Sequence, residues 1–159
     1  MKRIWAPWRI EYILQSKKEG CFLCDIVDDD RDRNNLLLKR HEHVYLLMNR
    51  YPYNNGHLMV APYRHISTLE DLDPDESDEL MKVTREAVRT LKKSIRADGF
   101  NIGMNLGKVA GAGLEDHLHM HIVPRWNGDT NFMPVTGETK VMPQDLCELW
   151  DQLHPAFNA

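Results

Sequence analysis

The sequence predicts an α+β domain in which an antiparallel sheet of about five strands carries one long helix, with a shorter helix closing the chain. Three observations predict it. Apolar segments of strand length cluster in 36–61 and again in 100–123 without alternating with helices, which favours an antiparallel sheet over a doubly wound parallel one. A single amphipathic stripe runs between those clusters from Asp73 to Ile95. Residues 117–121 read His-Leu-His-Met-His, so imidazoles alternate with apolar side chains at a period of two.

The opening Lys2-Arg3-Ile4-Trp5-Ala6-Pro7-Trp8-Arg9 has too few apolar residues for a signal peptide, yet its two tryptophans favour burial. Residues 1–16 are therefore expected as an arm docked on the body or on a second subunit. Residues 27–35, dominated by Asp and Arg, read as an exposed loop. Strands are expected at 36–39, 44–49 and 58–61. The last two are joined by Arg50-Tyr51-Pro52-Tyr53-Asn54-Asn55-Gly56, rich in turn formers, which makes an antiparallel meander.

Asp73-Pro74-Asp75-Glu76 marks a helix start: Asp73 caps, Pro74 takes the first position, and Glu76 stands where a capping box places its carboxylate. Leu80, Val83, Ala87, Leu91 and Ile95 continue the stripe, and Gly99 is read as its stop. Strands at 100–105 and 117–123, separated by a glycine-bearing loop, and a helix over about 144–153 complete the chain. It carries no evident internal repeat or low-complexity segment.

With 159 residues and 42% hydrophobic content, the chain fits one domain, 1–159, with a sizeable core and no need for disulfide staples. The three cysteines, Cys21, Cys24 and Cys147, are an odd number in a chain without a secretory leader, so a reducing, cytoplasmic setting is expected. No apolar run approaches the roughly 20 residues that span a bilayer. A net charge of -4 argues against non-specific polynucleotide binding and leaves room for a small phosphorylated ligand.

On a strand, with a rise of roughly 3.3 Å per residue, His117, His119 and His121 share one face while Leu118, Met120 and Ile122 face a core. A helix would scatter both sets. Aligned neutral imidazoles mean either a metal site or a histidine used as nucleophile or acid/base. Immediately upstream, Asn105-Leu106-Gly107-Lys108-Val109-Ala110-Gly111-Ala112-Gly113-Leu114 is a loop whose glycines allow backbone N–H groups to approach an oxyanion. A flexible connection has the same composition. A phosphate held there would sit beside the imidazoles, which suggests phosphoryl or nucleotidyl transfer. Cys21-Phe22-Leu23-Cys24 reads, on its own, as a redox dithiol or as two buried small residues. His41, His43 and His154 are expected at the surface, Cys147 in packing, and Trp126 in the core or at a subunit contact.

The run from His117 to Arg125, the upstream Asn105 and glycine loop, and Gly56-His57-Leu58-Met59-Val60-Ala61-Pro62 resemble the histidine-triad superfamily. Trp5-Ala6-Pro7-Trp8-Arg9, Pro52-Tyr53-Asn54-Asn55-Gly56-His57 and Pro124-Arg125-Trp126-Asn127-Gly128-Asp129-Thr130-Asn131-Phe132 look like its diadenosine tetraphosphate phosphorylase-like branch.

The resemblance implies a fold like that of the histidine-triad (HIT) proteins and an enzyme that cleaves dinucleoside polyphosphates, by phosphorolysis or hydrolysis. It implies a nucleotidyl-histidine on His119, with its tautomer fixed by a carbonyl, His121 donating to phosphate oxygens, and His117 completing the triad. Asn105, Gly111, Ala112 and Gly113 would hold phosphate oxygens, Asn49 the ribose, and His57 would stand behind the row. Leu114 departs from the Ser or Thr many members carry there, which leaves help to the leaving group in doubt. Metal-binding relatives imply a structural zinc on Cys21, Cys24, His65 and His117, with no organic cofactor and at least a homodimer. Purine nucleotides or dinucleoside polyphosphates and inorganic phosphate are the implied partners. The rival readings are a non-catalytic nucleotide-binding regulatory module and a metal-dependent hydrolase with the histidines as ligands.

Overall fold

The computed structural model describes residues 20–110 and 117–159. The tryptophan arm at 1–16, together with Gly111, Ala112, Gly113 and Leu114, lies outside the described residues. In chain order the elements are helices α1 (Phe22–Asp25) and α2 (Asp32–Asn35), strands β1 (Leu37–Arg40), β2 (Val44–Met48) and β3 (Leu58–Pro62), helix α3 (Pro74–Ser94), strands β4 (Gly99–Gly103) and β5 (Met120–Arg125), and helices α4 (Met133–Gly137) and α5 (Leu146–Phe157). The five strands form one sheet in the order β1-β2-β3-β5-β4, every neighbouring pair antiparallel. The expected meander is β1-β2-β3. Helix α3 then carries the chain to the far edge, and β5 returns between β3 and β4.

β2 and β3 are buried at every position because the sheet is covered on both faces. On one face Leu46, Met48, Leu58, Val60 and Ile122 pack against Leu80, Val83, Ala87 and Leu91 of α3 and Leu149, Leu153 and Phe157 of α5. On the other, Leu37, Tyr45, Leu47, Met59 and Ala61 pack around Leu23 of α1. A fully buried Leu, Val or Phe contributes about 1.5–3 kcal/mol, so both layers hold the sheet firmly. The α3 start is as the sequence predicts: Asp73 caps, and its N–H donates to Glu76 Oε2 at 3.0 Å. The same buried Glu76 receives Arg64 Nε at 2.7 Å and Nη2 at 2.6 Å, which ties the segment after β3 to the helix.

Several boundaries differ from the sequence reading. α3 stops at Ser94, with Ile95 as cap and Arg96 at φ +54°, and Gly99 opens β4 instead of ending the helix. Leu36, at φ +58°, belongs to the turn out of α2, so the expected loop at 27–35 contains a helical turn and β1 begins one residue later. Asp145 accepts from the N–H of Cys147 and Glu148 and so starts α5 two residues after the expected point. Cys147 is exposed, contrary to the packing role expected of it, because the buried positions of α5 are 149, 153 and 157. His41, His43 and His154, expected at the surface, are each half-buried, and His41 Nε2 lacks a partner among the described residues.

Gly56 closes the turn before β3 at φ +71°, and a Cβ there would lie 2.7 Å from Ile95 Cδ1 and 3.4 Å from Pro124 Cγ. Gly56→Ala must bear the left-handed backbone and displace the isoleucine methyl. A loss of about 1–3 kcal/mol is expected, read as a lower denaturation midpoint at unchanged m-value.

Candidate active site and metal centre

Opposite residues of an antiparallel pair project to the same face. His121 stands opposite Met59 and therefore emerges on the α1 side of the sheet, while Met120 and Ile122 pack toward α3. The predicted alternation holds through β5. The ladder begins only at Met120, however, so His117 and His119 lie on the segment leading into the strand. That segment is held by other contacts. The Leu118 N–H donates to the Ile66 carbonyl at 2.6 Å, and the His119 Nδ1–H to the His117 carbonyl at 2.7 Å.

Partners that are donors or acceptors only set the proton positions on the rings. The Tyr53 N–H, which only donates, meets His57 Nδ1 at 3.0 Å, so His57 carries its proton on Nε2. That Nε2–H donates to His121 Nδ1 at 2.9 Å. His121 is left with Nε2–H as a donor that has no partner among the described residues. By the same logic His119, donating Nδ1–H to a carbonyl, keeps Nε2 as a bare lone pair. The two rings meet edge to face at 4.7 Å between centroids, so a ring with an unprotonated nitrogen packs against a ring that carries an N–H donor. His119 is half-buried; His121 and His57 are buried, at 8% and 1% exposure.

Burial keeps these rings neutral. It pushes His57 down to about 3, helped by repulsion from His121 and His119, and His121 to about 4, helped by His119. His119 is lowered too, mainly by burial, against the opposing pull of the carbonyl it donates to. The chemistry available at neutral pH is thus a nucleophilic nitrogen beside a neutral donor.

The His117 ring turns to a separate cluster. Its Nε2 hydrogen-bonds the Pro62 carbonyl at 2.9 Å, and its Nδ1 faces Cys21 Sγ at 3.2 Å and Cys24 Sγ at 3.5 Å. Cys24 Sγ also lies 3.3 Å from His65 Nδ1. The donor atoms of Cys21, Cys24, His65 and His117 lie within 4.8 Å of one another, so the four residues expected as ligands are brought together and could hold a metal. A second ring nitrogen tied to a carbonyl is the usual outer support of a metal-bound histidine. Burial, together with Cys21 beside it, pushes the Cys24 thiol up to about 11, so a metal entering there must displace a proton.

Asn49 is buried at the end of β2, where its Oδ1 accepts from the Tyr51 N–H at 2.8 Å and its Nδ2 lies 3.4 Å from His57 Nδ1. Asn105 follows β4, whose Gly103 stands opposite His121, so the chain runs from there toward the His119 end of β5. The proline-tyrosine and tryptophan-asparagine motifs meet. Asn54 Nδ2 donates to the Pro124 carbonyl at 3.0 Å and to Asp129 Oδ2 at 2.8 Å, while Arg125 Nε reaches the same carboxylate at 2.6 Å. The Arg125 guanidinium, its main influence, holds Asp129 down at about 2. This lock fixes the turn that presents His57 to His121. Trp126 is half-buried, its Nε1 donating to the Arg96 carbonyl at 2.9 Å. Sequence reasoning missed Tyr53, whose N–H sets the relay and whose ring lies 4.6 Å from His57; only its adjacency to the turn before His57 hinted at it.

The chain is 44% identical over 154 residues to AP-4-A phosphorylase of Mycobacterium tuberculosis, spanning 92% of this chain and 79% of that protein. It is 35% identical over 82 residues to the asymmetrical bis(5'-nucleosyl)-tetraphosphatase of Schizosaccharomyces pombe, spanning 52% of this chain and 44% of that one. Its fold is similar to the crystal structure of a Zn-bound histidine triad family protein from Mycobacterium smegmatis, at TM-score 0.70 and 28% identity, covering 87% of this chain and 94% of that one. The HIT domain matches residues 31–128, and with the antiparallel sheet and the histidine run leading into β5 it establishes that this chain belongs to the HIT domain family.

Proposed function

We propose that the protein is a nucleotidyl-transferring enzyme that cleaves dinucleoside polyphosphates such as diadenosine tetraphosphate, with His119 as the nucleophile. The observation that carries this reading is the 2.7 Å hydrogen bond from His119 Nδ1–H to the His117 carbonyl, which leaves Nε2 unprotonated. His119 Nε2 attacks the α-phosphorus; a P–N bond forms, the P–O bond to the remaining phosphates breaks, and ATP leaves with that bonding pair. Inorganic phosphate or water then attacks the same phosphorus, the P–N bond breaks back onto Nε2, and ADP or AMP departs. Two easier displacements replace one. His121 donates its Nε2–H to a phosphate oxygen as charge develops. It works as a neutral donor, because its position near 4 keeps it uncharged at neutral pH. Asn105 with the Gly111, Ala112 and Gly113 backbone holds further phosphate oxygens, and Asn49 lies toward the ribose.

The kinship with AP-4-A phosphorylase supports both the substrate class and phosphate as acceptor. Incubating diadenosine tetraphosphate with and without inorganic phosphate tests it: ADP plus ATP appearing only with phosphate marks phosphorolysis, and AMP plus ATP marks hydrolysis. Unchanged substrate under both conditions would favour the regulatory binding module. A metal-dependent hydrolase built on the triad is disfavoured by geometry, since the His117 ring turns away to the cysteines and His121, whose Nδ1 accepts from His57, carries a proton on the Nε2 that would have to bind the metal.

The metal suited to Cys21, Cys24, His65 and His117 is zinc. Bond lengths of about 2.3 Å to sulfur and about 2.0–2.1 Å to nitrogen set tetrahedral ligands roughly 3.3–3.8 Å apart. The sulfur–nitrogen spacings of 3.3 and 3.5 Å fall within that range and the third, 3.2 Å, lies just below it. Four protein ligands leave no open position, so the zinc is a structural tie between α1, the segment after β3 and the entry to β5.

A homodimer fits the sheet edge. β4 is one of the two outermost strands, and Met81, Thr84, Arg85, Val88, Arg89 and Ile102 line an apolar groove of about 300 Å³ beside it. A second copy about a two-fold axis would pair edge to edge and cover Ile102, which is 47% exposed. Ile102→Lys should halve the mass measured by light scattering; a dimer that persists would place the contact elsewhere. Among the described residues no helix is long and apolar enough to cross a membrane.

A further inference from the structure

We propose that a cavity beside the turn before β3 is a second ligand site, one that takes a neutral purine nucleoside carrying an exocyclic amine. The cavity measures about 420 Å³, and its walls include Asn54, Asn55, Ile95, Trp126, Gln144 and Gln152. That volume falls within the roughly 300–1,000 Å³ of small-molecule pockets. Ile95 packs against the core layer under α3, and Gln152 belongs to α5. His121 emerges on the α1 side, so the cavity and the histidines lie on opposite faces of the sheet.

Charge excludes ionic ligands. No Lys or Arg lines the cavity, and its one charged lining residue is Asp129. That carboxylate is engaged at both oxygens: Oδ2 accepts from Arg125 Nε at 2.6 Å, Asn54 Nδ2 at 2.8 Å and the Trp126 N–H at 3.3 Å, and Oδ1 accepts from Arg125 Nη2 at 3.1 Å. A phosphate finds no counterion there, and a cation finds a carboxylate already neutralised.

The polar atoms left over are acceptors. Asn54 is 5% exposed and spends its Nδ2 on Asp129 and on the Pro124 carbonyl at 3.0 Å, which leaves its Oδ1 unpartnered among the described residues. Asn55 Oδ1 is buried and also has no partner among them. Gln144 spends its Nε2 on Gln152 Oε1 at 3.2 Å, so its own oxygen remains. A buried oxygen without a hydrogen bond is costly, and these amides call for N–H donors. The indole of Trp126, pinned by its Nε1–H to the Arg96 carbonyl at 2.9 Å, gives with Ile95 and Pro143 the flat apolar walls that suit an aromatic ring. An aminopurine meets both demands, because its amine donates along the ring edge while its faces stack.

The site needs no turnover, so the proposal is tested apart from the role of His119. Equilibrium dialysis of labelled adenosine against the full chain counts bound molecules, and Asn55→Leu removes the buried acceptor at a position without positive φ. The variant should bind one adenosine fewer per chain than wild type, its affinity at this site falling about tenfold or more. Nuclear Overhauser contacts from adenosine H2 and H8 to the Ile95 methyls and the Trp126 indole should appear in wild type and vanish in the variant. Inosine, with a carbonyl in place of the amine, and cytidine, with a single ring, should each bind this site at least tenfold more weakly. If circular dichroism shows Asn55→Leu unfolded, Gln144→Leu on the opposite wall takes its place. Equal adenosine counts in wild type and folded variant, or contacts confined to His119 and His121, would overturn the site. Inosine or cytidine bound there as tightly as adenosine would overturn the ligand class.

Discussion

His119→Ala should lower the turnover of diadenosine tetraphosphate by about 10⁴-fold or more, while nucleotide affinity stays within a few-fold of wild type. The magnitude follows from removing the atom that forms the covalent bond: what remains is binding and hydrogen-bond donation, which supply only part of the acceleration. Affinity is spared because the bare Nε2 donates nothing in the ground state, and His121 still presents its N–H. The fold is spared because His119 is half-buried and outside the β5 ladder, so its loss leaves no large cavity in either core layer. Rapid-quench measurement of the first turnover, with nucleotide binding by calorimetry, checks both halves. A first-turnover rate within tenfold of wild type would sink the histidine nucleophile. A lost affinity instead would make His119 a binding residue.

Acidification should unfold the protein through His57 and His121. Both are lowered in the folded state, to about 3 and about 4, mainly by burial, while an unfolded histidine titrates near 6.5. Between those values the unfolded chain binds protons that the folded chain refuses, so stability falls as pH drops. The contribution is complete above about pH 6.5 and is lost progressively as pH falls toward 4 and then 3. At pH 5 each ring costs about 2 kcal/mol relative to neutral pH, from about 1.4 kcal/mol per pH unit. Urea midpoints at pH 7.5, 6 and 5 measure it. His57→Gln should flatten the slope between pH 6.5 and 5, and a slope unaltered by that change would show that other groups carry the acid sensitivity.

The α3 start at Asp73 and Glu76, the apolar stripe through Leu80, Val83, Ala87 and Leu91, and the meander of β1 to β3 were legible in the sequence because each depends on local spacing. So were the four residues that could hold a metal, through the resemblance to metal-binding relatives. Less legible were the ends of elements. Gly99 looked like a helix stop and opens β4 because the backbone turns earlier, at Arg96 with φ +54°. The three histidines looked like one row, but His117 lies before the ladder and turns to the cysteines, about 95 positions away in the chain. Tyr53 was invisible as a functional residue because its contribution is a backbone N–H, which no side-chain pattern encodes.

What the sequence by itself determined is the class of fold and the chemical inventory: an antiparallel sheet with one long helix, and imidazoles at 117, 119 and 121 beside a glycine loop. Those follow from periodicity and residue type, which act over a few neighbours. Tertiary structure alone decided where each proton sits. The His117 carbonyl, the Tyr53 N–H and the burial of His57 and His121 leave one ring with an unprotonated Nε2 and the next with an Nε2–H. A histidine's tautomer depends on the partner that reaches it and on the water excluded around it, and both come from segments distant in the chain.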